Sequence, residues 1–337
     1  MEYSREQPPN PETRIVSLQS EIKSVDGEKK QIAIKLAGDG MPKAVAFFDI
    51  DGTLAELTSI HGAVIKEVFQ SDDQNELAET FFAGFKLGNS FREFDRMHGI
   101  YVDGYDAWRD PEVYIRERLQ PYRDEIDEPG NPAHERASQY LNKYSGMAAG
   151  VAKATYEDNP ETFEEVKLKP IFHLAKLYQR LGIPMVGMTA NGHDFAKAIS
   201  TYLGLGELFV DVATDREIAG GGKERAMEYL IKELEEKGIK IPKDRLIIVG
   251  DSLRGDIGSA LKYRDAGNVG SKSKGLLVLR DDNELLKMQR LIETDDGLKS
   301  IVSEVDTSAL VIANVPLSKS GKPLLGSGSR GDFLTKL

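Results

Sequence analysis

Two short segments of this chain place aspartates close together, each directly after an apolar run. Asp49-Ile50-Asp51-Gly52-Thr53 follows Ala44 to Phe48, and Gly250-Asp251-Ser252-Leu253-Arg254-Gly255-Asp256 follows Leu246 to Val249. Carboxylates gathered at one place repel and raise one another's pKa, so such an arrangement calls for a cation. The chain has no cysteine, and its five histidines form no i, i+4 ligand pair, so the donors are oxygens. An oxygen-only set selects a hard ion, and Mg2+ fits best because a phosphate group can complete its octahedron.

The elements that must position these residues read as an α/β fold. Lys43 to Ile50 is an apolar run of strand length, suited to a strand covered on both faces. After Pro170 the rhythm is a helix through Leu181, a strand at Pro184 to Met188, and another around Leu208 to Val212. A helix from Lys223 to Lys237 follows, then strands at Arg245 to Val249 and Gly275 to Leu279. Strands alternating with helices predict a doubly wound parallel sheet, whose ligands gather beyond the carboxyl ends of the strands. Three of those ends hold Asp49, Thr189-Ala190-Asn191 and Asp251. Residues 58–167 instead show helical spacing, as in Leu77, Phe81 and Phe85, and read as an inserted α-helical cap. The predicted organisation is an N-terminal extension over 1–42, with a hairpin turning at Asp26-Gly27. A core follows over 43–57 and 168–280, then a C-terminal extension over 281–337, with a strand at Ala309 to Ala313 and a flexible Gly/Ser-rich tail.

The order Asp-x-Asp-Gly-Thr after a strand, Thr189 after the next, Lys223 opening a later helix, and Gly-Asp-Ser-x-x-Gly-Asp resembles the four motifs of the haloacid dehalogenase superfamily. The resemblance covers roughly residues 43–57 and 168–280. It implies that Asp49 attacks phosphorus and forms an aspartyl-phosphate, while Asp51 protonates the leaving oxygen and then takes a proton from water. It implies a Mg2+ site made by Asp49, the backbone carbonyl of Asp51, Asp251 and Asp256. Thr189 and Lys223, with Asn191 beside them, would bind the phosphoryl oxygens. Lys223-Glu224-Arg225-Ala226-Met227 looks most like the phosphoserine phosphatase branch. The expected activity is therefore a Mg2+-dependent phosphatase acting on a small phosphorylated metabolite. A phosphotransferase or mutase using the same aspartyl-phosphate is the alternative, and a catalytically silent binding protein of the same fold is a third reading.

A formal net charge of −11 repels phosphate backbones and anionic lipid, which argues against nucleic acid and membrane partners. No apolar run approaches the roughly 20 residues of a membrane span, and the chain reads as cytoplasmic. Gly222-Lys223-Glu224 is no P-loop, since the Ser or Thr after Lys is missing. The Gly326 to Gly331 pattern has no βαβ unit behind it and reads as a linker. Within the insertion, Arg92, Arg96, His98, Tyr101 and Trp108 are candidates for gripping a polar substrate end. His193 reads more readily as a solvated loop side chain than as a substrate contact.

Overall fold

The computed structural model describes residues 13–57, 59–61, 63–64, 132–218, 222–242, 244–265, 273–312 and 334–336. The chain divides into two compact units, Met1–Ala55 with Glu164–Leu337, and Glu56–Phe163. Gly88 to Arg109, with the five candidate specificity residues, lies outside the described residues, as do Leu77, Phe81 and Phe85 and the Gly326 to Gly331 pattern.

The larger unit is an α/β fold around a seven-stranded sheet. Its strands are β3 (Val45–Asp49), β4 (Met185–Met188), β5 (Val212–Ala213), β6 (Leu246–Gly250), β7 (Lys274–Leu279), β8 (Thr307–Val311) and β9 (Leu334–Lys336). The order is β5-β4-β3-β6-β7-β8-β9, with every pair parallel except β8 and β9. The interior strand β3 shows why the run is unbroken in apolarity. Phe47 lies in a core cluster with Met227 and Leu230 of the helix Lys223–Glu236. Its neighbour Phe48 points to the opposite face, with ring centroids 6.1 Å from Tyr178 and 5.4 Å from Phe209. Both faces are covered, so β3 stays apolar up to Asp49, its last residue.

Among the described residues the smaller unit holds α1 (Pro132–Asp158) and the start of α2 (Glu161–Glu165). Within it the buried His61 ring stacks on Tyr144 and shares a hydrogen bond with its hydroxyl, and Tyr156 meets the buried Phe163 edge-on at 5.7 Å. The larger unit continues with α3 (Lys169–Leu181), α4 (His193–Tyr202), α5 (Asp215–Ile218), α6 (Lys223–Glu236), α7 (Ser259–Tyr263), α8 (Asp282–Thr294) and α9 (Asp296–Glu304). Helix α3 stops at Gly182, a left-handed cap at φ 70° whose N–H returns to the Gln179 and Tyr178 carbonyls.

Ahead of the sheet stands an antiparallel hairpin, β1 (Arg14–Lys23) and β2 (Lys29–Leu36), turning through Gly27 at φ 84°. It lies at the amino-terminal edge of the sheet. Lys35 N–H donates to the Gly182 carbonyl just before β4, and Glu21 N–H donates to the Val210 carbonyl just before β5. Alternate residues Ile32, Ile34 and Leu36 are buried and belong to the same apolar cluster as Phe47. The hairpin of the extension is thus part of the core.

Two sequence expectations change. The run Leu208 to Val212 forms a strand only from Val212. Before it, Leu208 and Phe209 N–H groups both donate to the Leu205 carbonyl in a tight turn, and the segment is apolar because it is buried. At the far end, Leu334–Lys336 of the expected flexible tail pairs with β8.

Candidate active site

Parallel strands bring their last residues to one edge. Phe48 pairs with Val249 and Asp49 with Met188, so Asp49, Asp251 and Thr189 emerge side by side. Asp49 and Asp256 are buried and Asp251 half-buried, and each offers a carboxylate oxygen within 4.8 Å of the others'. Lys223, the first residue of α6, reaches between them. Its Nζ donates to Asp49 Oδ1 at 2.5 Å and also to Asp256 Oδ1.

Backbone geometry makes this approach possible. The loop after β3 winds around the Ile50 carbonyl, which accepts from Leu54 and Ala55 N–H at 2.9 and 3.0 Å. At its tip Gly52 has φ +79°, and a Cβ there would lie 2.1 Å from Asp251 Oδ2. On β6, a Cβ on Gly250 would lie 2.2 Å from the Cβ of Asp256. Asp256 sits in a single wide turn over Leu253–Ile257, where Ser252 N–H donates to its Oδ2 at 2.8 Å and the Ser252 hydroxyl accepts from Gly255 N–H. Both oxygens of Asp256 are therefore engaged, one by backbone and one by Lys223.

The electrostatics follow from burial and crowding. Burial raises the Asp49 carboxyl to about 7, Lys223 pulls against that rise, and the charges of Asp256 and Asp51 add to it. Asp251 is pushed well above its ordinary value by burial and by Asp49 and Asp256, with Arg280 opposing. For Lys223, burial disfavours the charged form, but Asp49 and Asp256 overcome it and hold the ammonium protonated. Three acids with a single bridging lysine remain an electrostatically loaded set. The hard oxygen donors, their mutual reach and the glycine that lets Asp251 approach the loop suit a divalent cation such as Mg2+.

The remaining sequence candidates lie on the same edge. Asp51 is half-buried two residues beyond Asp49. Thr189 is buried at the end of β4, and its hydroxyl accepts from Asn191 N–H at 3.2 Å. Asn191 is half-buried, and its carbonyl accepts from Asp215 N–H. Two residues acquire roles that the motifs did not assign. The buried Thr53 hydroxyl donates to Asp49 Oδ2 at 3.2 Å, fixing the carboxylate from the side opposite Lys223. Arg280, immediately after β7, donates to the Gly52 carbonyl at 2.5 Å and so ties down the loop that carries Asp51. Its place directly after the apolar run of β7 is the signal in the sequence that marks it.

A family model described as haloacid dehalogenase-like hydrolase matches residues 43–262. The chain belongs to this family. No curated protein matches this haloacid dehalogenase-like hydrolase. Among solved structures it is similar to YfnB from Bacillus subtilis, bound to magnesium, at 14% identity and a TM-score of 0.41, covering 70% of this chain and 86% of that one. It is similar to CbbY from Rhodobacter sphaeroides in complex with xylulose-(1,5)bisphosphate at 15% identity and a TM-score of 0.38, covering 70% and 85%. It is also similar to the haloacid dehalogenase-like family protein SP0104 from Streptococcus pneumoniae at 14% identity and a TM-score of 0.36, covering 71% and 85%. Likeness at this level carries no inference about substrate. Among the described residues, no helix is long and apolar enough to cross a membrane.

Proposed function

We propose that this hydrolase is a Mg2+-dependent phosphatase that cleaves small phosphate monoesters through an aspartyl-phosphate on Asp49. The observation that carries the reading is the convergence of Asp49, Asp251 and Asp256 around Lys223 at the carboxyl edge of the sheet. A carboxylate of Asp49 attacks phosphorus, the ester P–O bond breaks, and Asp51 gives its proton to the leaving oxygen. Asp51 then takes a proton from the water that attacks the acyl phosphate, releasing inorganic phosphate and restoring Asp49. Thr53 and Lys223 hold Asp49 from its two oxygens, which limits its rotation before attack. Lys223, Thr189 and Asn191 are the proposed donors to the phosphoryl oxygens. A divalent cation on Asp49, Asp251, Asp256 and the Asp51 carbonyl would supply positive charge to the transferring group. The helical insertion over 58–167 is proposed to contribute specificity. The resemblance of Lys223 to Met227 to the phosphoserine phosphatase branch has no support beyond those residues, so the substrate is assigned at the level of class.

Release of inorganic phosphate from a panel of phosphate monoesters, with Mg2+ and with EDTA, tests the reading. Asp49→Asn is expected to lower turnover by about a thousandfold or more, roughly 4 kcal/mol of barrier, with the fold intact. Full activity in EDTA, or near-parent rates in Asp49→Asn, would overturn it.

A further inference from the structure

A second polar chain stands on the carboxyl edge, at the end of β5. Thr214 is fully buried there, and its backbone N–H and its hydroxyl both donate to the Glu217 carboxylate at 2.7 Å. The Nδ1 of His193, the first residue of α4, lies 3.0 Å from the Thr214 hydroxyl oxygen. The polarity of this chain is determined by what each group can do. A carboxylate only accepts, so the single hydroxyl hydrogen of Thr214 is committed to Glu217. The hydroxyl oxygen can then only accept, and His193 Nδ1 must carry the hydrogen between them. Burial works to raise the Glu217 carboxyl, but the hydrogen bonds from Thr214 outweigh it and keep the group below its ordinary value, an acceptor at neutral pH. The neutral imidazole is thereby fixed as the Nδ1–H tautomer. Its Nε2 is left as a lone-pair acceptor with no partner among the described residues, on a half-buried ring.

Placement gives this atom a use. His193 follows the loop of Thr189 and Asn191, yet it leans toward β5, and the sheet order puts β5 two strands from β3 and Asp49. At about 4.8 Å per strand, the lateral separation is on the order of 10 Å, comparable to the distance from phosphorus to the far end of a small phosphate ester. The phosphoryl end meets cationic and hydroxyl donors, whereas at this remove stands a histidine whose tautomer makes Nε2 an acceptor. A hydroxyl complements such an acceptor, and a carboxylate does not.

We propose that His193 is a specificity-determining residue, held by the positioning residues Thr214 and Glu217, and that its Nε2 accepts a hydrogen bond from a hydroxyl of a sugar or polyol phosphate. This rests on the phosphatase reading above and narrows its substrate class. The test combines nitrogen NMR of the full chain with kinetics. In the parent, His193 is expected to show a protonated Nδ1 and an unprotonated Nε2 in its neutral form. Thr214→Val should release that preference, and Thr214→Ser should restore it. With Mg2+, His193→Phe is expected to raise KM at least about tenfold for the best substrate among pentose and hexose phosphates, with kcat within about threefold. Its kcat/KM for p-nitrophenyl phosphate, which has no hydroxyl beyond the phosphoryl group, should stay within about twofold. Equal losses on both substrates, no loss on either, or an Nε2–H tautomer in the parent would overturn the proposal and leave the phosphatase reading standing. A parent that hydrolyses no ester would overturn the phosphatase reading and the substrate class with it, while the nitrogen shifts still decide the tautomer.

Discussion

The two edges of the parallel sheet are built by opposite means. At the amino edge the hairpin buries Ile22, Ile32, Ile34 and Leu36, and one surface cluster of Glu21 with Lys29 and Lys237 pins it at 2.5 and 2.8 Å. At the carboxyl edge, buried carboxylates share one ammonium, an arrangement that costs free energy unless every partner is present. The first edge stabilises the protein, and among the described residues it gathers no carboxylate cluster like that of the second. The second concentrates reactive groups and depends on stability supplied elsewhere, so damage at the first should cost fold alone, and damage at the second should cost chemistry, with fold lost as well where a buried carboxylate is left unpaired.

Lys223→Met should produce the largest change. It leaves Asp49 and Asp256 without their shared cation, for an expected loss of about 4 kcal/mol in stability and nearly all turnover. The sign of its pH dependence follows from Asp49. A carboxyl raised to about 7 in the fold from 3.8 loses stability as pH rises through the folded value, because the charged form is the disfavoured one. Lys223 holds that value down, so without it the loss runs on above pH 7, and urea unfolding in EDTA should show a larger deficit at pH 8 than at pH 6. A variant as stable as the parent at pH 8 would break the contrast between the edges.

Ile34→Ala is the matching change at the amino edge. The side chain is fully buried, and its truncation should destabilise by about 3 kcal/mol. Catalytic parameters at 20 °C should stay unchanged, and a fall in kcat without unfolding would mean that the edges are coupled. The smallest effect is expected for Glu21→Gln. Hydrogen bonds from Lys237 and Lys29 hold the Glu21 carboxyl at about 2, below its ordinary 4.5. Its contribution is present above pH 4.5 and lost as pH falls toward 2. Because the side chain is 35% exposed, solvent screening limits the loss to about 1 kcal/mol, or about 2 °C in Tm at pH 7. Parent and variant should converge below pH 3, and a Tm difference that persists there would show that the pair is not its source.

The fold class was legible because a strand covered on both faces and an amphipathic helix leave local signatures. Apolar runs mark β3, β4, β6 and β7, and spaced apolar residues mark α6. Leu208 to Val210 misled because a buried turn has the same apolarity as a strand. Asp49 and Asp251 could be named because each lies at a strand end, where topology sends it to the common edge, and Asp256 because it shares one short segment with Asp251; Lys223 came from the resemblance, as the residue that opens a helix. Arg280 and Thr214 also stand just past strand ends, but what they pair with had no such signal. Arg280 meets a backbone carbonyl of a distant loop and Thr214 links a histidine 21 residues away to a carboxylate in its own turn, and no period in the chain reports either. His193 looked like any loop histidine until its hydrogen-bond polarity was known.

Gly52 and Gly250 bear on how this sequence can vary. At Ile34, a leucine or valine would leave most of the buried volume filled. At the two glycines, the smallest addition available to a protein, one methyl group, lands on Asp251 or Asp256. In a library of random variants selected for function, both positions should return glycine alone, though neither contributes a reactive atom. Two sites as intolerant as any reactive group would then be hydrogens whose whole contribution is the room they leave.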